Sequence, residues 1–496
     1  MPGLTRTALS AVVWNYCGVG VLVATQIIST AVTARVVAPS EFGAYATAQA
    51  VTAICGYFSL TALGNALLRR NDVSRAAVGT AMLLATASGA VVAAVTALSA
   101  GFWASLWNVP HATGSIRALA AVTFATGGAV VPLAVLRFRL RFRAAAVTEA
   151  TTQVVGAAVG VLLAVEMHSA LALALGQVCA ATLLLSSSAI LARRDIAVCF
   201  SWSDAKQLLG FATQVNLVNM SSYLSGAAPA WYIARCFGAA ALGFYSRASL
   251  LAGLPLTYMS SSVMKVLYPL YGRLKDDRER VNAMVEEALC LVTGLGWVAF
   301  AFLGGSAPVV VALLLGDRWA GVAPLLSLAA VAAGGDLACG LLTNAGEAFG
   351  WMRVIWWRQT MFALCLACGL FAAHEFGLGV EAVVGLFALS RWVAYGATLS
   401  AFVRRRSLRS SAPREQLVHL AFAATVFFAA ALVARVFGDA AVAIQLLTEV
   451  IVGLGTLGTL LLLRRQIPAI RTLERRIALS RATQFQPAAL STAGGP

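Results

Sequence analysis

Residues 170–192 read ALALALGQVCAATLLLSSSAILA, a run of 23 residues without an acidic or basic side chain. A helix of about 20 apolar residues crosses the hydrocarbon layer of a bilayer. Similar runs recur along the chain, in which 60% of the 496 residues are hydrophobic and 11% are charged. Soluble domains have about 45–50% apolar and about 25% charged residues. The sequence therefore predicts an integral membrane protein.

The apolar runs predict an all-α, polytopic membrane protein of about 14 transmembrane helices. Most of the segments between these runs are too short to form a soluble domain, so we expect the function to lie inside the membrane. The expected spans are 11–34, 42–66, 77–103, 116–136, 145–165, 170–192, 209–234, 247–270, 286–313, 322–343, 354–373, 379–402, 417–437 and 441–463.

The positive charges are distributed as expected for a multi-pass protein of the bacterial inner membrane. With the N-terminus in the cytoplasm, 28 of the 36 Lys and Arg residues fall on the cytoplasmic side and six on the outer side. Cytoplasmic loops retain positive charge, so both termini are expected in the cytoplasm. The net charge of +16 does not indicate a nucleic-acid partner, because the basic residues are scattered among short loops.

An internal repeat divides the chain. Residues 34–45 read ARVVAPSEFGAY and residues 234–245 read ARCFGAAALGFY, so Ala-Arg, Gly and Tyr recur with an offset of 200 residues. Each copy follows an odd-numbered expected span, and six spans separate them. This arrangement predicts two parallel six-helix repeats plus two C-terminal helices, with a binding site at the repeat interface that works by alternating access.

The repeat gives the expected domain boundaries. Residues 1–192 form an N-terminal six-helix lobe and residues 209–402 a C-terminal one, joined by a cytoplasmic linker with an interfacial helix at 193–208. Residues 403–465 form an extra two-helix hairpin, and residues 466–496 form a cytoplasmic tail that we expect to be partly disordered.

Several ordered motifs resemble those of a known family. They are residues 35–45, LGFYSRA at 242–248, YPLYGRL at 268–274, DDR at 276–278 and LGDRW at 315–319. This series resembles the Wzx-type polysaccharide flippases of the multidrug/oligosaccharidyl-lipid/polysaccharide exporter superfamily, and most closely the colanic-acid-exporter-like branch.

The resemblance implies a flippase for undecaprenyl-diphosphate-linked oligosaccharide units in exopolysaccharide or lipopolysaccharide biosynthesis. It also implies alternating access through a cationic cavity, and a polysaccharide polymerase and a chain-length regulator as possible partners besides membrane lipid. No cofactor is implied.

Arginines at the ends of cavity-facing helices are the first candidates to bind the diphosphate, because the guanidinium binds phosphate oxygens bidentately. Arg35 and Arg247 are the leading pair, since matching positions in related flippases line the cavity, and Arg235 is the repeat mate of Arg35. The alternative for each is ordinary extension of the side chain to the membrane interface.

Ionisable residues within the spans are further candidates, because burying a charge in the membrane is costly. Arg391 and Asp336 both lie at mid-depth of their spans, where they form either a structural ion pair or a site for substrate or a coupling ion. Glu449 is a second possible coupling acid. Aromatic side chains that could stack on sugar rings are Tyr45, Tyr223, Tyr245, Trp231 and Tyr232, although Trp and Tyr are also common at membrane interfaces.

Other functional classes fit less well. A Walker A loop requires Gly-Lys-Ser/Thr, and none of the three lysines follows a glycine. A membrane glycosyltransferase or polymerase would have acidic residues in sizeable loops, whereas the outer loops are short. A drug or metabolite antiporter of the same superfamily remains an alternative, although acidic residues would suit cationic drugs better. Cys365-x-x-Cys368 lacks a second ligand pair, so no metal site is expected.

Overall fold

The computed structural model describes residues 2–59, 63–64, 75–139, 141–195, 199–273 and 277–437, together with 444, 447–449, 451–453 and 455–456. All regular secondary structure in these residues is helical. The helices are α1 (Pro2–Val36), α2 (Pro39–Gly56), α3 (Arg75–Leu98), α4 (Ala100–Leu106), α5 (Ala112–Phe138), α6 (Phe142–Met167), α7 (Ala170–Ala192), α8 (Trp202–Arg273), α9 (Arg278–Gly305), α10 (Ala307–Leu314), a 3-10 turn (Asp317–Trp319), α11 (Val322–Ala348), α12 (Met352–Glu375), α13 (Val380–Arg404) and α14 (Ala412–Val436).

The helices are those of a membrane protein. Within the described residues, ten helical segments are long and apolar enough to cross a bilayer. The all-α membrane fold is therefore confirmed, whereas the number of fourteen spans stays a prediction. Most of the last expected span, 441–463, and the whole tail, 466–496, lie outside the described residues.

Two expected spans, 77–103 and 286–313, are each divided in the structure into a long helix and a short one. The first break is at Ser99, where φ is −87° and ψ is 5°. The second break follows the Gly304-Gly305 pair. Glycine is a weak helix former, so the second interruption has a local cause.

The chain forms two compact units. Unit 1 comprises residues 1–246 and 314–319, and unit 2 comprises residues 247–313 and 320–496. The lobe, linker and hairpin boundaries expected from sequence stay predictions. Near the expected linker, α8 begins at Trp202, and the Ser201 hydroxyl accepts a hydrogen bond from the Asp204 amide at 3.4 Å. The helix is interrupted at Gly238, where φ is 83°.

The helices of unit 1 recur in unit 2 at an offset of 210 residues. α5 and α11 begin at Ala112 and Val322, and each has 27 residues. α6 and α12, and then α7 and α13, follow at the same offset. The residues that precede α6 and α12, Arg141 and Trp351, both have φ −83° and ψ 51°. This recurrence supports the repeat that the sequence predicts.

The packing order recurs as well. In unit 1, α5 packs on α3 and α7, and α7 packs on α6. In unit 2, α11 packs on α9 and α13, and α13 packs on α12. The two units are therefore built from the same helical scaffold.

Within unit 1, the two copies of the 34–45 motif pack directly against each other. A Cβ atom built on Gly43 would lie 1.8 Å from the Ala239 carbonyl oxygen, and one built on Gly243 would lie 2.0 Å from the Pro39 carbonyl oxygen. Pro39 and Ala239 are themselves 200 residues apart, so the two contacts are reciprocal. Only glycine allows backbones to approach this closely, which explains why Gly recurs in both copies.

Candidate functional site

Unit 1 contains a polar cavity between its membrane-spanning helices. The cavity has a volume of about 480 Å³ and is lined by side chains from α2, α5, α7 and α8 and from the residues that follow α2. Its size falls within the range of about 300–1,000 Å³ that is typical of small-molecule sites. The polar side chains that line it include Gln49, Thr52, Tyr57, Thr126, Gln177 and Tyr223.

The cavity wall is uncharged and rich in hydrogen-bonding groups. Among the described residues that line it, none is Asp, Glu, Lys, Arg or His. Gln49 donates from Nε2 to the Tyr45 hydroxyl at 3.2 Å, and the Tyr57 and Tyr223 rings lie with their centroids 5.5 Å apart. Sequence reasoning named Tyr223 as a candidate sugar contact but did not identify the cavity. Its available signal was the pair of glutamines, Gln49 and Gln177, inside apolar spans.

Unit 2 contains an ion pair inside its helical bundle. The Arg391 Nη1 atom lies 3.0 Å from the Asp336 Oδ1 atom, and the two side chains are 19% and 27% exposed. The Arg391 guanidinium also lies 4.1 Å from the ring centroid of Phe362 and 4.9 Å from that of Phe387. Opposite charge and aromatic faces together lower the cost of holding this cation in the membrane.

A second arginine, Arg358, lies near the pair and attracts Asp336 electrostatically. Its Nη1 atom is 3.9 Å from the Cys339 sulfur, and its Nη2 atom donates to Gln359 at 3.1 Å. Arg358 also interacts electrostatically with Glu347, so the two arginines are balanced by two acids. The local charges are therefore largely compensated, which favours a structural role for the pair over a diphosphate site.

The three arginines expected at the outer helix ends differ in exposure. Arg35, in the last turn of α1, and Arg235 are exposed, and Arg235 donates to the Ser105 carbonyl at 3.5 Å. Arg247 lies nine residues after the interruption at Gly238, and its side chain is only 5% exposed. Arg247 is thus the member of this set that the fold buries.

Four of the five aromatic side chains expected to contact sugar are not among the described residues that line the cavity. Tyr45, Tyr232 and Tyr245 are buried, at 9%, 8% and 7% exposure, whereas Trp231 is 38% exposed. Tyr45 is adjacent to the cavity, since its hydroxyl accepts the hydrogen bond from Gln49. Tyr223, the fifth expected aromatic contact, does line the cavity, and together with Tyr57 it provides the aromatic part of the wall.

Two further buried polar groups lie in unit 2. Glu449 is 5% exposed, and its Oε2 atom accepts a hydrogen bond from the Ser306 hydroxyl at 2.6 Å. His419 is 1% exposed, and its Nδ1 atom lies 3.0 Å from the Thr293 hydroxyl. Sequence reasoning did not single out His419, although it is the one histidine inside an expected span. Within the described part of the chain, no group of His, Cys, Asp and Glu is arranged to hold a metal ion.

The LGDRW motif has a structural role. Trp319 is fully buried in unit 1, and its indole N–H donates to the Ala34 carbonyl at 2.7 Å. Its ring meets Phe42 and Phe244 edge to face, with centroid distances of 5.1 and 5.8 Å. Phe42 and Phe244 belong to different copies of the repeat, so Trp319 helps to hold the two copies together.

Comparisons with solved structures place the fold in a known group of transporters. The chain is similar to the lipid II flippase MurJ in an inward closed conformation, with a TM-score of 0.71 and 11% identity over 92% of this chain and all of MurJ. It is also similar to an inward-facing MATE multidrug resistance transporter of the MOP superfamily, with a TM-score of 0.59 and 15% identity over 79% of this chain and 96% of that one.

Two relatives are named for succinoglycan transport and for lipopolysaccharide biosynthesis. The chain is 25% identical to the succinoglycan biosynthesis transport protein ExoT of Rhizobium meliloti (strain 1021), over 76% of this chain and 78% of that protein. It is 21% identical to the lipopolysaccharide biosynthesis protein WzxC of Escherichia coli (strain K12), over 70% of each chain.

The family model described as "polysaccharide biosynthesis protein" matches residues 32–324. This range is more than half of the chain, and it includes both copies of the repeat, the neutral cavity and Trp319. The recognition made from short motifs is therefore confirmed: the chain is a multi-pass membrane protein that belongs to this polysaccharide biosynthesis family, whose fold it shares with the MurJ and MATE transporters.

Proposed function

We propose that this protein is a flippase, not an enzyme, that moves undecaprenyl-diphosphate-linked oligosaccharide units from the inner to the outer leaflet of the bacterial inner membrane. Both termini lie in the cytoplasm in this proposal, as the Lys and Arg distribution predicts. The two repeats alternate access to the substrate, which a polymerase then extends under the control of a chain-length regulator.

The observation that carries the proposal is the family match over residues 32–324. It spans both copies of the repeat and extends past Arg247. The relatives named for succinoglycan transport and lipopolysaccharide biosynthesis support a saccharide substrate. The fold shared with a lipid II flippase is consistent with a substrate that remains attached to a lipid.

Arg247 is the favoured diphosphate ligand, and Arg35 and Arg235 are further candidates. Arg391 is a weaker candidate, because its charge is already paired with Asp336. Burying an arginine in a membrane protein costs several kcal/mol, so a buried one calls for a structural or functional reason. A lipid diphosphate needs positive charge while its head group crosses the low-dielectric region. Arg247, at 5% exposure, meets this requirement better than an arginine exposed at the surface.

The proposal is tested by locating the lipid-linked units after the gene is deleted in its own host. Loss of a flippase should leave completed units on the cytoplasmic leaflet, where membrane-impermeant periodate added to spheroplasts does not oxidise them. Loss of a polymerase would instead leave completed units accessible to periodate, and loss of a glycosyltransferase would leave no completed units. Either of these two results would overturn the proposal.

Substitutions at Arg247 test the diphosphate site. Arg247→Ala should lower polymer export by about tenfold or more at normal protein levels, because it removes a charge-assisted contact. Arg247→Lys should keep part of the activity, since it retains the charge but not the planar fork. The control is Arg117→Ala, at an exposed arginine of α5, which should export normally. Normal export by Arg247→Ala would remove Arg247 from the site.

A further inference from the structure

We propose that the neutral cavity of unit 1 is the binding site for the saccharide part of the lipid-linked substrate, separate from the arginines that bind its diphosphate. This inference rests on the proposed flippase function and assigns a ligand class to a cavity of which sequence reasoning named only Tyr223. The depth of the cavity, the lack of charge among the described residues that line it and the aromatic part of its wall all favour a saccharide.

The cavity lies at the level of the membrane interior. Thr126 is near the middle of the 27-residue α5, and Gln177 lies within α7, about two turns from its start. Polar groups at this depth are costly unless they are paired or face water or substrate. The Thr52 and Thr126 hydroxyls donate to carbonyls of their own helices. A packing role at Gln49 and Gln177 would be served better by apolar side chains, so these two amides indicate contact with something polar.

The absence of charge among the described wall residues narrows the ligand class. A cationic drug would be favoured by an acidic group, and a diphosphate by an arginine. Amides and hydroxyls both donate and accept hydrogen bonds, which matches the many hydroxyl groups of a sugar. Gln49, Thr52 and Gln177 provide such groups on two helices, α2 and α7.

The aromatic part of the wall fits the same ligand class. The Tyr57 and Tyr223 rings have centroids 5.5 Å apart and an interplanar angle of 53°, and both line the cavity. Such rings combine a large apolar surface with a polar hydroxyl. The C–H face of a sugar can pack on the rings while its hydroxyls bond to the glutamines and threonines.

The experiment compares two probes on the purified full-length protein in detergent. One is the lipid-linked oligosaccharide isolated from the host, and the other is undecaprenyl diphosphate without sugar. Binding of each is measured by native mass spectrometry for the wild type and for Gln177→Leu, Arg247→Ala and Gln153→Leu. Gln153 is a half-buried glutamine of α6 that is not among the residues lining the cavity, so Gln153→Leu is the matched control.

Gln177→Leu should weaken binding of the saccharide-bearing probe by about fivefold or more, because one hydrogen-bonding partner is lost. It should leave binding of undecaprenyl diphosphate within about twofold of the wild type, whereas Arg247→Ala should weaken both probes. Gln153→Leu should change neither. Thermal unfolding midpoints like the wild type establish that each variant is folded.

Three results separate failure of the saccharide site from failure of the flippase function. Equal binding of the saccharide-bearing probe by Gln177→Leu and wild type would overturn the saccharide site and leave the flippase proposal in place. Equal loss of both probes in Gln177→Leu would also overturn it, since the effect would not be specific for sugar. Binding of neither probe by the wild type would contradict the proposed function itself.

Discussion

Units 1 and 2 share a helical scaffold but differ at matching positions. At the 210-residue offset, Asp336 and Arg391 in unit 2 correspond to Thr126 and Ala181 in unit 1. Unit 2 therefore has an ion pair with its charged atoms 3.0 Å apart where unit 1 has a threonine beside an uncharged cavity. The comparison teaches that a duplicated framework can keep its backbone while its two copies acquire different interior chemistry.

The contacts between α6 and α7 in unit 1 also differ from the contacts between α12 and α13 in unit 2. In unit 1, a Cβ atom built on Gly176 of α7 would lie 2.6 Å from the Gly160 Cα atom of α6. The residue that corresponds to Gly176 in unit 2 is Leu386, which packs on Gly369 of α12. The unit 1 contact therefore brings the backbones of two helices together, whereas the unit 2 contact places the Leu386 side chain over one glycine.

The largest expected effect is on the ion pair. Asp336→Asn and Arg391→Gln should each lower the free energy of unfolding by about 2–4 kcal/mol, because a remaining charge in the bundle loses its partner. The exchange Asp336→Arg/Arg391→Asp should recover part of this loss. Thr126→Val, at the matching position of unit 1, should cost under about 1 kcal/mol, since the Thr126 hydroxyl donates to the Val122 and Thr123 carbonyls of its own helix.

Unfolding in mixed detergent micelles measures these differences. A double-substitution cycle with Asp336→Asn/Arg391→Gln then isolates the coupling between the two residues. Coupling near zero would show that the contact between Asp336 and Arg391 does not contribute to the free energy of unfolding. The two units would then differ in charge at these positions but not in the stability that the positions provide.

A smaller effect is expected at the glycine contacts. Gly176→Ala should destabilise the protein by about 1–3 kcal/mol, because the new methyl group meets backbone atoms that can only move with their helices. Gly369→Ala should cost less, within about 1 kcal/mol of the wild type, since the new methyl group would lie 3.3 Å from the Leu386 Cβ atom, a milder overlap, and alanine favours the helix. Thermal unfolding of both variants is the measurement. Equal destabilisation would mean that the two contacts are packed alike.

Sequence reasoning succeeded where a single segment carries the signal. Long apolar runs predicted the membrane helices, and the recurrence of residues 34–45 at 234–245 predicted the duplication. The mid-depth positions of Asp336 and Arg391 in their spans predicted that the two side chains pair, because each charge lowers the free-energy cost of burying the other in the membrane.

It failed where the signal is shared among distant segments. Gln49 and Gln177 are uncharged, so each lies in an apolar run without interrupting it. They are also 128 residues apart, so nothing in the sequence links them to one site. Only the packing of α2, α5, α7 and α8 brings them to one cavity. Arg247 illustrates the same limit, because its burial depends on the tertiary fold around α8 rather than on its place near a helix end.

The smallest expected effect concerns the energy source, and it tests whether the charges of unit 2 take part in transport. A diphosphate is anionic and the bacterial interior is negative, so outward movement gains up to about 2.3 kcal/mol per charge per 100 mV. Flipping in proteoliposomes should therefore accelerate when valinomycin and K⁺ impose an inside-negative potential at equal pH and equal Na⁺.

Asp336→Asn/Arg391→Gln removes both charges together and leaves neither member of the pair charged without its partner. If the pair is structural, this double variant should keep the dependence on potential and a flipping rate within about twofold of the wild type. The rate is followed as a fluorescent lipid-linked saccharide becomes accessible to a membrane-impermeant quencher. If the wild type instead ignores the potential and follows a pH or Na⁺ gradient, and the double variant loses that dependence, the ion pair is a coupling site and unit 2 is the part of the molecule that harnesses the gradient.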